Sequence, residues 1–401
     1  MISVAEAEKI IQSVCRDYGS EIISMEHALG RVLAEDILAD RDFPAFTRST
    51  MDGIALKFEG FKNGLREFKI LGTQAAGDDP IDLSSADECI EIMTGAAVPS
   101  TADTVIRYED LELQNGTARI NIDKIEVGQN IHLRGADKKQ GESVAKANHL
   151  IDAAIIGIAA SVGKMQISVK KLPKIVIISS GDELSKIEEI PTTYQLRSSN
   201  GPTLKAILNK FKIRAELIHI PDEPESIRKE IAKALNSYDI LILTGGVSMG
   251  KFDYLPQTFE SLGVRKHFHK VRQKPGKPFW FGEYVSGSLV FAFPGNPVSS
   301  FMCMHRYFIP WLQKAFGLES NRQLMASIDS DFQFSAPLTY FLQVRLWLNE
   351  CGNLVASPAP GHGSGDHVNL IDANAFMELP EDQNNFTKGQ LFRVWPWKVI
   401  L

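Results

Sequence analysis

The chain has 401 residues, 44% hydrophobic and 23% charged, the balance of a folded globular protein whose length calls for about two to four domains rather than one core. A net charge of -6 argues against bulk attraction to nucleic acid or to an anionic membrane and leaves room only for a local basic pocket. No apolar run approaches the roughly 20 residues that a transmembrane helix needs. Glu6 and Glu8 stand where a signal peptide would carry basic residues, and Cys15, Cys89, Cys303 and Cys351 are too dispersed for a CxxC metal site or a disulfide frame. A reducing cytoplasm is the expected compartment.

Val4, Ala7, Ile11 and Val14 recur at helical spacing, and Ser3 followed by Glu6 resembles a capping box, so the chain opens on a helix. From Phe43 to about Arg134, short apolar runs (Phe68–Leu71, Cys89–Met93, Thr104–Tyr108, Ala118–Ile122) are punctuated by Gly, Pro and Asp, as in a small β-rich module. A connector with a small-residue helix near Ala153–Ala160 follows. Strands at Lys174–Ser179, Ile213–Ile220, Ile240–Thr244 and Leu289–Phe293 then alternate with helices at Thr203–Phe211, Glu225–Ser237 and about Val298–Phe316, which predicts a mostly parallel sheet covered on both faces. After Leu318 the helices stop, and short strands with turn signals predict a small β-barrel or sandwich.

In an open parallel sheet ligands bind beyond the carboxyl ends of the strands, which directs attention to the loops there. Asp182-Glu183 after the first strand are placed either to hold Mg²⁺ or simply to make a Gly-Asp turn. In Thr244-Gly245-Gly246-Val247-Ser248-Met249-Gly250 the glycines let backbone N–H groups close on a phosphate, Ser248 adds a hydroxyl, and Asp253 supplies a carboxylate at the loop's far end; a plain tight turn is the alternative. Lys266–Lys277 concentrates Lys266, Lys270, Arg272, Lys274 and Lys277 with His267 and His269, as an oxyanion site or as a solvated strand edge. Phe293-Pro294-Gly295-Asn296-Pro297-Val298-Ser299-Ser300 sets an αL-tolerant Gly-Asn pair between two prolines, with serines able to cap the helix beyond. Asp52 before Gly53 is a functional acid or a turn acid. The spacing in Gly361-His362-Gly363-Ser364-Gly365-Asp366-His367 fits no zinc pattern and reads as a polar binding loop.

These strings, with Phe43–Ala55, Met93–Pro99, Arg134-Gly135-Ala136-Asp137, Ile178–Leu184, Ser198–Pro202 and Lys274–Pro278, resemble in order and over nearly the whole chain the molybdopterin molybdenumtransferase family, the MoeA type also seen as the E domain of gephyrin. The resemblance implies a multidomain α/β and β protein. A discontinuous helical linker domain would take 1–41 with 135–170, a small β-rich domain 42–134, a MogA-like doubly wound α/β domain 171–318, and a C-terminal β-barrel domain 319–401.

It also implies Mg²⁺-dependent insertion of molybdate into adenylylated molybdopterin, releasing AMP and the molybdenum cofactor, by a homodimer with its cleft formed across the subunit boundary. By motif, Glu183, Asp222 and Asp253 would hold Mg²⁺ or the reacting anhydride, and Asp52 and Asp137 would be further functional acids. Lys270, Lys274 and Lys277 would bind molybdate or phosphate. Gly245, Gly246, Ser248 and Gly250 would cradle the pterin phosphate beside Pro294, Gly295, Asn296 and Pro297, and Thr94 and Ser364 would line the cleft. The chain departs from the family pattern at His132, at Ile54 in place of a tyrosine, and at Gln343 in place of a basic residue; strand alternation puts Arg345 on the same face as Gln343. Adenylylation of molybdopterin, a non-catalytic binding scaffold, and tungstate in place of molybdate are the rival readings.

Overall fold

In the computed structural model, which describes residues 1–247, 254–318 and 323–398, the chain opens on the helix announced by Ser3 and Glu6. Helix α1 (Val4–Ser13) begins with a complete capping box: Ser3 Oγ accepts from the Glu6 N–H at 3.2 Å, and Glu6 Oε2 accepts from the Ser3 N–H at 2.7 Å. Its Val4, Ala7 and Ile11 are buried.

The chain forms two compact units, one of Met1–Ala34, Asn148–Asp152 and Ser168–Leu401, the other of Glu35–Ala147 and Ala153–Ile167. The second holds a six-stranded sheet in the order Thr104–Arg107, Gly53–Leu56, Glu88–Ile92, Glu67–Gln74, Thr117–Ile120, Leu111–Gln114. Ile54, Cys89 and Ile106 pack on one face, and Ala55, Ile90 and Val105 on the other. Burial on both faces explains why its strands read as short apolar runs rather than as alternating ones.

The first unit is built on β1 (Ile175–Ser180), α2 (Asn200–Asn209), β2 (Glu216–Ile220), α3 (Pro224–Ser237), β3 (Ile240–Thr244), α4 (Leu255–Ser261), β4 (Arg265–His269), β5 (Trp280–Glu283) and β6 (Leu289–Phe293). The strand order is β2-β1-β3-β6-β5-β4, with the first four parallel and the last two antiparallel. Every residue of β1, β3 and β6 is buried, which gives them their continuous apolar pattern, whereas β2, also read as a strand, is largely exposed. The basic run of β4 lies on the sheet's edge, where charge also discourages pairing with another chain.

The helix expected over 298–316 is α5 (Pro297–Cys303) and α6 (Ile309–Ala315), joined by a π-helical segment, Met304–Phe308. Arg306 in that segment is 2% exposed. It bridges Glu8 of α1 at 2.7 Å and Glu378 at 2.9 Å, with its guanidinium 4.4 Å from the Trp395 ring centroid. Although burial works against ionisation, Arg306 and Arg393 hold the Glu8 carboxyl below its ordinary value of 4.5. A lowered carboxylate stabilises the fold fully above that value and loses its contribution as pH falls through the native one. The stability gap between wild type and Glu8→Gln is therefore expected to be widest above pH 4.5 and to shrink on acidification, as read by thermal melts across pH 3–7.

Past residue 322, strands β7 (Met325–Ile328), β8 (Thr339–Leu348), β9 (Leu354–Pro358), β10 (Ala375–Leu379) and β11 (Leu391–Pro396) run in the order β8-β9-β7-β11-β10, and β10 pairs back on β8 to close a five-stranded barrel. Leu342, Val344 and Leu346 belong to its core. One expectation is corrected here. Helices do not stop at Leu318, because Asn369–Asp372 is a single helical turn, too short to leave a periodic signature. The pair Gln273-Lys274 extends the barrel by lying parallel to Thr339-Tyr340 of β8.

Candidate functional site

Loops from the carboxyl ends of β1, β3 and β6 meet the 273–278 turn, the start of β8 and the 361–364 loop around a cleft of ≈ 530 Å³. Glu183 stands at one wall. Gly181, at φ +140°, folds the chain so tightly that a Cβ there would lie 2.5 Å from Glu183 Oε2. The neighbouring Asp182 turns away and accepts from the Asp222 N–H at 3.1 Å.

After β3, Gly245 takes φ +96°, and a Cβ on it would come within 2.9 Å of the Ser180 carbonyl, so only glycine fits where the two loops cross. The 294–297 loop leans on the same turn, since a Cβ on Gly295 would sit 3.4 Å from Gly245 Cα. Asn200 pins it from α2, donating to the Gly295 carbonyl at 2.6 Å. The expected left-handed Gly-Asn pair is not formed: Gly295 has no positive φ, and Asn296 is extended at φ -65°. The serines do not cap the helix as expected. With Pro297 at its first position, Asn296 becomes the cap residue, and Ser300 Oγ donates back to the Pro294 carbonyl at 2.6 Å. Asn296 Nδ2 in turn donates to Ser364 Oγ at 2.6 Å, tying this loop to the glycine-rich one.

The basic stretch divides by environment. Arg272 pairs with Glu381 at 3.1 Å, His267 lies 3.4 Å from Glu283, and His269 Nε2 is 3.0 Å from the Val247 carbonyl, with burial lowering its pKa. Only Lys274 and Lys277 reach the cleft lining. The Lys274 ammonium lies 5.4 Å from the Phe334 ring centroid and 5.9 Å from that of Tyr340, two rings stacked at 4.3 Å, so aromatic faces hold it over the opening.

The cleft therefore gathers Glu183, Gly245, Gly246, Lys274, Lys277, Pro294, Gly295, Asn296 and Ser364 from the sequence reading. Pro297 starts the adjoining helix. Lys270, at φ +71°, and Asp222 are not among the lining residues, nor is Arg345, which points to the Asp372 carbonyl at 3.4 Å. Gln343 does line the cleft: it is 6% exposed, and its Oε1 is buried with no hydrogen-bond partner. Ser248, Gly250 and Asp253 lie outside the described residues. Asp52, Thr94 and Asp137 belong to the other unit, where Asp52 Oδ1 accepts from the Thr94 N–H at 2.6 Å and is thereby held below the usual carboxylate range. Asp137 lies 3.0 Å from His132 Nε2.

Sequence reasoning missed Gln273, Leu338, Tyr340 and Phe341 of the lining. Gln273 adjoins the lysine turn and was the one with a signal; the others belong to the start of a strand whose approach to the sheet is not written in its pattern. The cleft lining offers, among the described residues, two ammonium groups, a glycine turn, hydroxyl and amide groups, and one carboxylate, a set suited to a ligand with several anionic oxygens. Among the described residues, no three His, Cys, Asp or Glu side chains gather as a ready-made metal cage. No helix among those residues is long and apolar enough to cross a membrane.

Three family descriptions match in order along the chain: the MoeA N-terminal region (domain I and II) over residues 2–163, a probable molybdopterin binding domain over 176–314, and the MoeA C-terminal region (domain IV) over 326–397. A molybdopterin molybdenumtransferase of Synechocystis is 38% identical over 400 residues, covering 99% of this chain and 100% of its own. One from Staphylococcus epidermidis is 31% identical, covering 98% and 95%. The crystal structure of a molybdopterin biosynthesis MoeA protein from Pyrococcus horikoshii superposes with a TM-score of 0.84 at 28% identity, over the full length of both chains.

Proposed function

The chain belongs to the molybdopterin molybdenumtransferase family and is an enzyme that inserts molybdenum into molybdopterin; from that premise we propose that its substrates are adenylylated molybdopterin and molybdate, that the reaction depends on Mg²⁺, and that AMP is released. The observation that carries this reading is the meeting of Lys274 and Lys277 with Glu183 and the Gly245-Gly246 turn in one cleft. The two phosphates of the adenylylated pterin need donors and room for close approach along one wall; the Gly245 N–H is engaged with the Phe293 carbonyl at 3.2 Å, so the Gly246 turn and the Asn296 side of the Pro294–Pro297 loop would make those contacts. Molybdate is a tetrahedral dianion, and the two ammonium groups with Ser364 answer its charge and its oxygens.

Glu183 shares the cleft lining with these cations. Mg²⁺ is commonly held by one or two carboxylates, with phosphate oxygens and water completing its shell, so Glu183 beside a phosphate cradle fits it without a ready-made cage. In this reading Glu183, with Asp222 and Asp253, would hold the ion, which when bound neutralises charge on the anhydride as AMP leaves. The same proposal assigns functional roles to Asp52, Thr94 and Asp137, gives Lys270 and Arg345 only outer electrostatic roles, and makes the protein a cytoplasmic homodimer.

The test is anaerobic incubation with adenylylated molybdopterin, Mg²⁺ and molybdate or tungstate, with detection of AMP and metal-bound pterin. Formation of adenylylated pterin from ATP, without AMP release from it, would instead assign the activating step. Lys274→Ala and Lys277→Ala are each expected to raise the molybdate KM about tenfold or more, since a charge-assisted hydrogen bond contributes roughly 1.5–3 kcal/mol.

A further inference from the structure

We propose that Tyr307, acting through Gln273, is a positioning residue that fixes the Lys274–Lys277 turn in the cleft; this rests on the reading of those lysines as ligands of the oxyanion. Gln273 immediately precedes the turn and is 0% exposed, and Tyr307 is 2% exposed. The Tyr307 hydroxyl donates to Gln273 Oε1. Gln273 Nε2 donates to the Gly276 carbonyl at 3.0 Å and lies 3.7 Å from Cys303 Sγ. Both ends of the amide are thus engaged where water does not reach.

The turn rests directly on this relay. Gly276 takes φ +87°, and a Cβ there would come within 2.8 Å of Gln273 Nε2 and of Met302 Cε, and 3.0 Å of Cys303 Sγ. Its carbonyl also accepts from the Phe279 N–H at 3.2 Å, while the Val271 N–H donates to Lys277 at 3.0 Å, so backbone bonds close the loop on either side of the amide. A purely apolar core would have no use for a buried phenol and amide here; buried polar groups are kept satisfied at a cost in desolvation. Burial raises the Tyr307 pKa well above its ordinary value, so the hydroxyl stays a donor. Tyr307 sits in the π-helical segment, a departure from α-helical geometry of the kind often found at functional sites.

The full-length enzyme carrying Tyr307→Phe or Gln273→Met is expected to show a molybdate KM raised about tenfold with kcat near wild type, as small displacements of binding groups produce. The double variant is expected to be no worse than either single one, because both break the same relay. Ile231→Ala, a change in the separate core cluster that holds neither residue of the relay, is expected to lower the melting temperature without moving that KM. Hydrogen exchange at the Val271 and Phe279 amides is expected to rise in Tyr307→Phe. A wild-type molybdate KM in both folded single variants, additive effects in the double, or unchanged exchange would each overturn the proposal. If Lys274→Ala and Lys277→Ala leave the molybdate KM unchanged while exchange rises, the oxyanion reading fails instead and the relay stands only as a brace of the turn.

Discussion

Replacing Glu183 with alanine is expected to slow AMP release from adenylylated molybdopterin by about 10²-fold or more, the scale on which a charged group at a reacting centre acts. The fold should not notice. The side chain is exposed, and the loop is held through the Glu183 backbone carbonyl, which accepts from the Leu196 N–H at 2.8 Å and is unaffected by truncation. Glu183→Gln keeps the shape and removes the charge, so it should be nearly as slow. Single-turnover AMP release and a melting curve on the same preparations decide the matter. Wild-type release in a folded Glu183→Ala enzyme would remove the carboxylate from the mechanism and, with it, the argument for a divalent cation at this wall.

Arg306→Met is expected to have the largest effect on stability, of about 3–5 kcal/mol, because removing one partner from a buried ion pair leaves the others uncompensated. Glu8 keeps Arg393 at 3.4 Å, but Glu378 would retain only the Trp395 indole N–H, which donates to it at 2.9 Å. The guanidinium joins α1, the π-helical segment and the barrel strand β10, so its loss should loosen three elements together. Denaturant unfolding of Arg306→Met beside Arg306→Met/Glu378→Met separates the causes: much of the loss should return in the double variant, where the stranded carboxylate is gone. A melting point within error of wild type would show the network to be worth little.

The legible parts of the fold were those in which local pattern and tertiary role agree. Residues 175–180 and 240–244 are buried at every position and read as strands; Ser3 and Glu6 announce α1 because a capping box is a local device. The edge strand β4 was foreseen only as the alternative reading of the basic stretch, and β5 had no reading of its own because it directly follows the lysine turn. In the site, Lys274, Gly245 and Asn296 were marked by residue types that only make sense in tight loops. Gln273 had only its place beside the lysine turn to mark it, and Tyr307 had nothing. They are separated by a strand-rich stretch of sequence, and their partnership exists only once the π-helical segment and the lysine turn have packed. Lys270 and Arg345 were grouped with the cleft by proximity in sequence and by strand alternation, yet neither lines it: the Lys270 backbone N–H is taken up by the Phe279 carbonyl at 2.9 Å, and the Arg345 side chain reaches the Asp372 carbonyl.

The short alignment of Gln273-Lys274 along Thr339-Tyr340 bears on how the protein can be cut. A fragment ending at Leu318 would retain the glycine crossing and Glu183 but forfeit the aromatic faces beneath Lys274, the Gln343 amide and Ser364. On the proposed reading such a piece is expected to keep a grip on phosphate and lose its hold on the smaller guest, which would make the barrel half of the receptor rather than an accessory to it.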